Sequence, residues 1–288
     1  MTQRGQQVVL VTGASVGFGL ATAKLLAQRR FSVFGTSRRP DQHRELALQN
    51  GFTMLELDVR SDESARACVE AVQSQAGRID VLVNNAGIVI FGALEELSID
   101  EARAVFETNF FGVARMVNAA LPIMRQHGGG QIINVSSLGG LIGTPGEGYY
   151  SASKHALEGY TMALRQEVKA FNIDVSLVGP GFFKTGIAQA AQPAALKLPV
   201  YDGMRERLSR YLRHNVEHGA DPTILAWLIL DIIESDNPRW RYGAGVDGVW
   251  LARLLPFIPR TLGEPLLRKV MGVEDSFLYR WLSRDWGK

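Results

Sequence analysis

Short, continuous apolar runs punctuate the chain, and longer stretches of helical period lie between them. Val8 to Thr12 (VVLVT), Phe31 to Ser37 (FSVFGTS), Phe52 to Asp58 (FTMLELD), Ile79 to Val83 (IDVLV), Gln131 to Ser137 (QIINVSS) and Ile173 to Gly181 (IDVSLVGPG) have the length and apolar density of strands covered on both faces. Helical spacing marks LATAKLLAQRR, the segment around Cys68 (SDESARACVEAVQSQ), a long region from Ser98 through Met124, and SASKHALEGYTMALRQEVKAF. Strands alternating with helices at this interval predict an α/β fold, with a mostly parallel, doubly wound sheet and helices on both faces. The 288 residues are read as a single domain spanning 1–288.

In such sheets ligands bind at the C-terminal ends of the strands. Gly13, Arg38, Asp58, Asn85, Ser137 and Gly181 all fall there. The first strand stops at a glycine-rich turn, TGASVGFG, and a helix follows at once. Strand, turn and helix N-terminus together make a phosphate site, with Gly13, Gly17 and Gly19 letting the backbone approach an anion. The second strand ends in Ser37, Arg38 and Arg39, where an acidic residue would take the ribose hydroxyls of NAD. An uncharged serine followed by arginines suits a 2′-phosphate, so NADP is the expected cofactor.

Tyr150 and Lys154 stand four residues apart at the head of a helical segment, so their side chains share a face. A phenol with an ordinary pKa near ~10 exchanges protons poorly at neutral pH, and a fixed ammonium nearby favours the phenolate. Bringing it to about 7 needs roughly 4 kcal/mol of differential stabilisation. Such a tyrosine can serve as general acid or base. Asn109 is a polar residue within apolar helical surroundings, where a buried amide requires partners such as neighbouring backbone.

Beyond Thr185 the pattern changes. Residues 186–205 are rich in Ala and Pro without a clear period, the composition of a substrate loop. Two helical stretches (MRERLSRYLRHNVEHG and DPTILAWLILDIIES) and a short strand (RWRYGAG) follow. A helical C-terminal extension over 246–288 mixes apolar and basic residues and is expected to cap the pocket or pack on a partner subunit, with membrane-surface contact the less favoured reading.

Composition narrows the field. Net charge is +2, and over 201–288 thirteen Lys/Arg face twelve Asp/Glu, which argues against nucleic acid as a partner. Cys68 is the only cysteine, so no intrachain disulfide forms, and a reducing, cytoplasmic location is expected. No signal-peptide core precedes the first strand, and the longest apolar run, from Ile224, falls well short of the ~20 residues of a spanning helix. His214 and His218 lie four apart but lack the glutamate of HExxH and a third ligand, so no metal is expected. Neither GxSxG nor GxxxxGK[ST] occurs.

TGxxxGxG at Thr12–Gly19, NNAG at Asn84–Gly87, Asn109, Ser137, YxxxK at Tyr150 and Lys154, and PGxxxT at Pro180–Thr185 together resemble the short-chain dehydrogenase/reductase family. YSASKHALEGYTMALRQEV is most similar to members related to 17β-hydroxysteroid and retinol dehydrogenases. The resemblance implies a Rossmann-like sheet and an NADP-dependent oxidoreductase in which Tyr150 exchanges a proton with the substrate oxygen. Ser137 would orient that oxygen; Lys154 would hold the nicotinamide ribose, lower the Tyr150 pKa and join a relay with water held through Asn109. Cofactor contacts are implied at Gly13, Ser15, Gly17, Phe18, Gly19, Ser37, Arg38, Arg39, Asp58, Val59, Asn85, Ala86, Gly87, Tyr150, Lys154, Pro180, Gly181, Phe183 and Thr185. Leu138, Leu141, Ile142, Phe182, Phe183, Ile187 and Leu198 suit a small hydrophobic ketone or alcohol. A homodimer or homotetramer through the helices bearing Asn109 and Tyr150 is implied as well. A catalytically silent NADP sensor, or an isomerase, dehydratase or epimerase on the same fold, are the alternatives; the latter would be favoured by a carboxylate near the substrate, for which Glu147 is the one residue in the loop after Ser137.

Overall fold

The computed structural model describes residues 6–184, 191–246, 248–250, 258 and 260–273. Seven parallel strands form one sheet: β1 (Val8–Val11), β2 (Ser32–Ser37), β3 (Thr53–Glu56), β4 (Val81–Asn84), β6 (Gly130–Val135), β7 (Ile173–Pro180) and β9 (Arg241–Ala244). Their order is β3-β2-β1-β4-β6-β7-β9. The chain therefore winds outward one way from β1, crosses back to β4 and winds outward the other way. A crevice opens where the direction reverses, between β1 and β4, at the strands' C-terminal ends.

The apolar runs are explained by two cores. Val8 and Leu10 of β1, Leu82 of β4, Ile132 of β6 and Val175 of β7 enter one cluster, while Val9, Val11, Val81, Val83, Ile133 and Val178 enter the other. Alternate residues of each strand thus bury on opposite faces. The first face is covered by α3 (Asp62–Ala76), α5 (Gly112–Gln126) and α6 (Gly148–Glu167). The second is covered by α1 (Gly17–Gln28) and α8 (Pro222–Glu234), which also pack on each other. Cys68 is a buried free thiol in the first core, and burial pushes its pKa up to about 12, so it packs as a small apolar group.

A short helix α2 (Arg44–Gln49), which the residue pattern did not announce, follows β2. Two features differ from expectation. The region from Ser98 is not one helix: α4 (Ile99–Phe106) passes into a π-helical turn, Glu107–Phe111, before α5. The sequence gives no sign of the extra residue because ETNFF sits in an otherwise unbroken helical pattern. The helix bearing Tyr150 begins at Gly148, placing Tyr150 inside its first turn.

The expected substrate loop falls partly outside the described residues, as do Thr185 and Ile187. From residue 191 it is an ordered strap. A two-residue strand β8 (Gln192–Pro193) pairs in parallel with β5 (Ile90–Phe91), and α7 (Asp202–Glu217) follows. Of the C-terminal extension, α9 (Arg260–Val270) is described and the final segment, 274–288, lies outside the described residues. Among the described residues no helix is long and apolar enough to cross a membrane, and no group of three His, Cys, Asp or Glu side chains could hold a metal ion.

Candidate active site

The crevice is shaped first by backbone. Gly13 adopts φ +67°, a left-handed conformation, and its N–H donates to the Thr36 hydroxyl at 3.2 Å. A Cβ at Gly13 would lie 3.0 Å from Ala86 Cα, and one at Gly19 would collide with the Gly13 carbonyl oxygen. The Thr12 hydroxyl accepts the N–H groups of Asn85 (2.9 Å) and Ala86 (3.0 Å), while the Asn85 amide donates to the carbonyls of Thr12 (2.9 Å) and Gly13 (3.1 Å). The turns after β1 and β4 are thereby locked together. Thr12 and Thr36 were not singled out from sequence; only the position of Thr12 just ahead of the glycines hinted at a role.

Above these turns stands the N-terminus of α1. Among the described residues no side chain caps it, and its first turn carries no acid. Its leading N–H groups and positive dipole end suit a diphosphate. Ser37 closes the turn after β2 by accepting the Arg39 N–H at 3.1 Å, leaving Arg38 and Arg39 exposed beside it. Asp58 is clamped by Arg60 (Nε–Oδ1 2.9 Å), which, with Arg38 contributing, holds its carboxyl below the usual carboxylate range. These groups fit a dinucleotide.

Two expected contacts change character. Phe183 is 2% exposed and meets Phe18 edge-to-face, with ring centroids 5.0 Å apart, so its side chain belongs to the core beneath the crevice. Val59 is buried against Gly112 on α5. Only the backbone of either residue remains to meet a cofactor. Ser15, Gly17, Asn85, Ala86, Gly87 and Gly181 keep partial or full exposure at the crevice, whereas Pro180 is buried at the end of β7.

The expected chemical residues converge at the other end. Tyr150 is 9% exposed and Lys154 4%, one turn apart on α6. Ser137, two residues past β6, places its hydroxyl near enough to the Tyr150 phenol to lower its pKa, and the Lys154 ammonium lies 5.7 Å from the ring centroid. Lys154 Nζ donates to the Val135 carbonyl at 2.8 Å. A Cβ built on the exposed Gly87 would stand 3.9 Å from that Nζ, so a small residue keeps the approach to the ammonium open.

Electrostatics depart from the expected pattern. Burial dominates at Tyr150 and, with the nearby Glu147 charge adding to it, holds the phenol above its ordinary value despite the opposing influence of the Ser137 hydroxyl. Lys154 does not reverse this. Its own pKa is pushed down to about 8 by burial, against the opposing pull of Glu158 one turn on. Glu158 is itself buried, bonded by the Ser136 hydroxyl (3.0 Å) and Arg241 (Nε–Oε2 3.1 Å).

Asn109 sits within the π-helical turn and is fully buried. Its Oδ1 accepts the Ile88 N–H (2.8 Å), and its Nδ2 donates to the Ile88 carbonyl (2.9 Å) and the Ser153 hydroxyl (3.2 Å). The side chain is thus committed to fastening the β4 loop to α6, and a water held through this residue would have to use its backbone.

A family model described as short chain dehydrogenase matches residues 7–195. The chain belongs to the short-chain dehydrogenase family. Within it, the chain is 40% identical over 265 residues to a 3-ketodihydrosphingosine reductase of Bacteroides thetaiotaomicron, covering 91% of this chain and 97% of the relative. Bovine retinol dehydrogenase 8 is 35% identical over 294 residues, covering 96% and 91%. Among solved structures, a short-chain dehydrogenase from Streptomyces avermitilis superposes with TM-score 0.81 at 34% identity, covering 95% of this chain and all of that one. A family member from Burkholderia phymatum in complex with NAD matches at TM-score 0.74 and 28% identity (84% and 90% covered), and a metagenomic one in complex with NADP at 0.66 and 25% (82% and 95%). A short-chain dehydrogenase with this crevice is an oxidoreductase using a nicotinamide cofactor.

Proposed function

We propose that the protein is an NADP-dependent carbonyl reductase or alcohol dehydrogenase acting on hydrophobic secondary alcohols or ketones, with Tyr150 as general acid and base. The observation that carries this reading is Tyr150 and Lys154 buried one helical turn apart, with the Ser137 hydroxyl near the phenol. A phenol kept protonated by burial is suited to donating to a carbonyl oxygen as charge develops there, and Ser137 supplies a second donor aimed at the same atom. Lys154 contributes positive potential at that point and a donor for a ribose hydroxyl entering past Gly87. When bound, NADPH supplies the hydride. Gly13, Gly17 and Gly19 would receive its diphosphate and Asp58 its adenine, while Gly181 and Thr185 would flank the nicotinamide.

The NADP preference is supported by Arg38 and Arg39 at the end of β2, where no acid repels a 2′-phosphate. Apolar substrates are supported by the cluster that contains Tyr150, in which Val89, Ile90, Leu97 and Ala194 are also buried. The silent-sensor reading finds no support in the sequence, where Asn109, Ser137, Tyr150 and Lys154 are all present. A reducing compartment such as the cytoplasm suits the buried free thiol of Cys68. A homodimer or homotetramer would use Phe111 and Met162, which leave apolar surface on the helices expected to form it. A panel of steroid, retinoid and long aliphatic ketones with NADPH or NADH, followed by nicotinamide absorbance, tests the reading. Turnover of an apolar ketone with NADPH preferred is expected, and silence across the panel would overturn it.

A further inference from the structure

Four carboxylates border the substrate side of the crevice, and three of them are occupied. Glu95 accepts the Tyr201 hydroxyl at 2.7 Å. Glu96 accepts the N–H groups of Leu198 (2.8 Å) and Ala93 (2.9 Å) and pairs with Arg205. Glu101 accepts the Ala195 N–H at 2.9 Å and the Ser98 N–H at 2.8 Å. Glu147 is different: among the described residues its carboxylate has no hydrogen bond and no ion pair.

The Glu147 main chain is firmly placed. Its N–H donates to the Thr144 carbonyl at 3.0 Å and its carbonyl accepts the Ser151 N–H at 2.8 Å. Gly146 before it takes φ +79° and abuts Phe91 and Leu208, and Gly148 after it abuts Leu94. Glu147 occupies the position just ahead of α6, three residues before Tyr150, and its side chain makes no capping hydrogen bond. Its charge is felt at the Tyr150 phenol, and it remains partly reached by solvent. An uncompensated carboxylate beside an apolar cluster is costly, and burial pushes its pKa up to about 7. A cation arriving from solution would relieve that cost.

We infer that Glu147 is a specificity-determining residue, taking the ammonium of a substrate that carries an amine on the carbon beside the reacting carbonyl and an apolar chain beyond it. The inference rests on the oxidoreductase reading above and names the substrate class for it. The spacing agrees: three positions, about 4.5 Å of helical rise, lie between the residue that would bond the carbonyl oxygen and the one that would take a nitrogen on the neighbouring carbon. The alkyl chain would lie along Val89, Ile90 and Ala194. The ketone named for the Bacteroides relative is a long-chain ketone of this amino type.

The test compares a long-chain 2-amino-3-ketone with the same ketone lacking the amine, using NADPH and measuring kcat and KM separately. Wild type is expected to favour the amino ketone by roughly tenfold to a hundredfold in kcat/KM, chiefly through KM, as for a charge-assisted hydrogen bond. Glu147→Gln should collapse that ratio toward one, with NADPH affinity reporting that the variant is folded. Equal use of the two ketones by wild type, a comparison that needs no variant, would overturn the inference, as would a preference that survives in E147Q. If wild type reduces neither ketone nor any member of the ketone panel, the oxidoreductase reading itself falls, and this one with it.

Discussion

The nucleotide and substrate sides of the crevice are held together by different physics. Around Gly13 and Gly19 the fastening ties neighbouring strands through their main chain: the short side chains of Thr12, Thr36 and Asn85 bond main-chain groups of adjacent parallel strands, and glycines allow turns to approach where no Cβ fits. On the substrate side, residues 191–205 are tied to residues 88–101 by side-chain carboxylates and a two-residue strand pair. The first arrangement cannot change without disturbing the sheet. The second can be loosened one tie at a time, so the fold can alter its substrate while keeping its cofactor.

The sharpest break of this comparison removes chemistry while sparing both sides. Tyr150→Phe should keep NADPH affinity, read by quenching of protein fluorescence, and lose turnover by roughly 10²–10⁴-fold, the usual scale of a general acid. Retained turnover would exclude the phenol as proton donor. On the nucleotide side, Arg38→Asp should move the NADPH/NADH ratio of kcat/KM by about tenfold to a hundredfold toward NADH, since a carboxylate repels the 2′-phosphate and accepts from ribose hydroxyls. An unchanged ratio would free Arg38 from that role.

A smaller effect is expected on the substrate side. Arg205→Met leaves the Glu96 carboxylate buried with two N–H donors and no counter-charge, which weakens the strap's attachment. KM for an apolar ketone should rise about tenfold while NADPH affinity holds. A matching loss of cofactor affinity would show that the two sides are not separable.

These two sides were also unequally legible in the sequence. Apolar runs followed by glycines announce β1 and its turn because strand burial and backbone approach each demand particular residue types locally. Tyr150, Lys154 and Ser137 were legible for the same reason, through a helical spacing and a strand end. The strap was not: Ile90 and Phe91 meet Gln192 and Pro193 about a hundred positions away, and Glu96 finds Arg205 at a similar separation. Nothing in either segment marks its partner. The π-helical turn at Asn109 was hidden because one inserted residue leaves the apolar period almost intact. The direction of the Tyr150 shift was misjudged because the sequence supplies a neighbouring ammonium but not the burial that outweighs it.

The smallest predicted effect concerns what burying Lys154 costs. Its pKa falls from 10.5 to about 8 through burial, so between those values the unfolded chain holds a proton that the folded protein has released. Stability from this group is therefore fully present above about 10.5 and lost as pH falls through about 8. The drop corresponds to roughly 3 kcal/mol at neutral pH, on the scale of ~1.36 kcal/mol per pKa step. Lys154→Met removes that cost but leaves the Val135 carbonyl without its 2.8 Å donor, which returns about 1–3 kcal/mol. The variant should thus be inactive yet equal to wild type in stability or up to ~2 kcal/mol above it at pH 7. Its advantage should fade as pH rises from 8 to 10.5, measured as the difference between paired denaturant titrations so that other groups cancel. A variant clearly less stable at pH 7, with a gap independent of pH, would mean that the ammonium is stabilised where it lies and that the substrate-side chemistry carries no stability cost at this lysine.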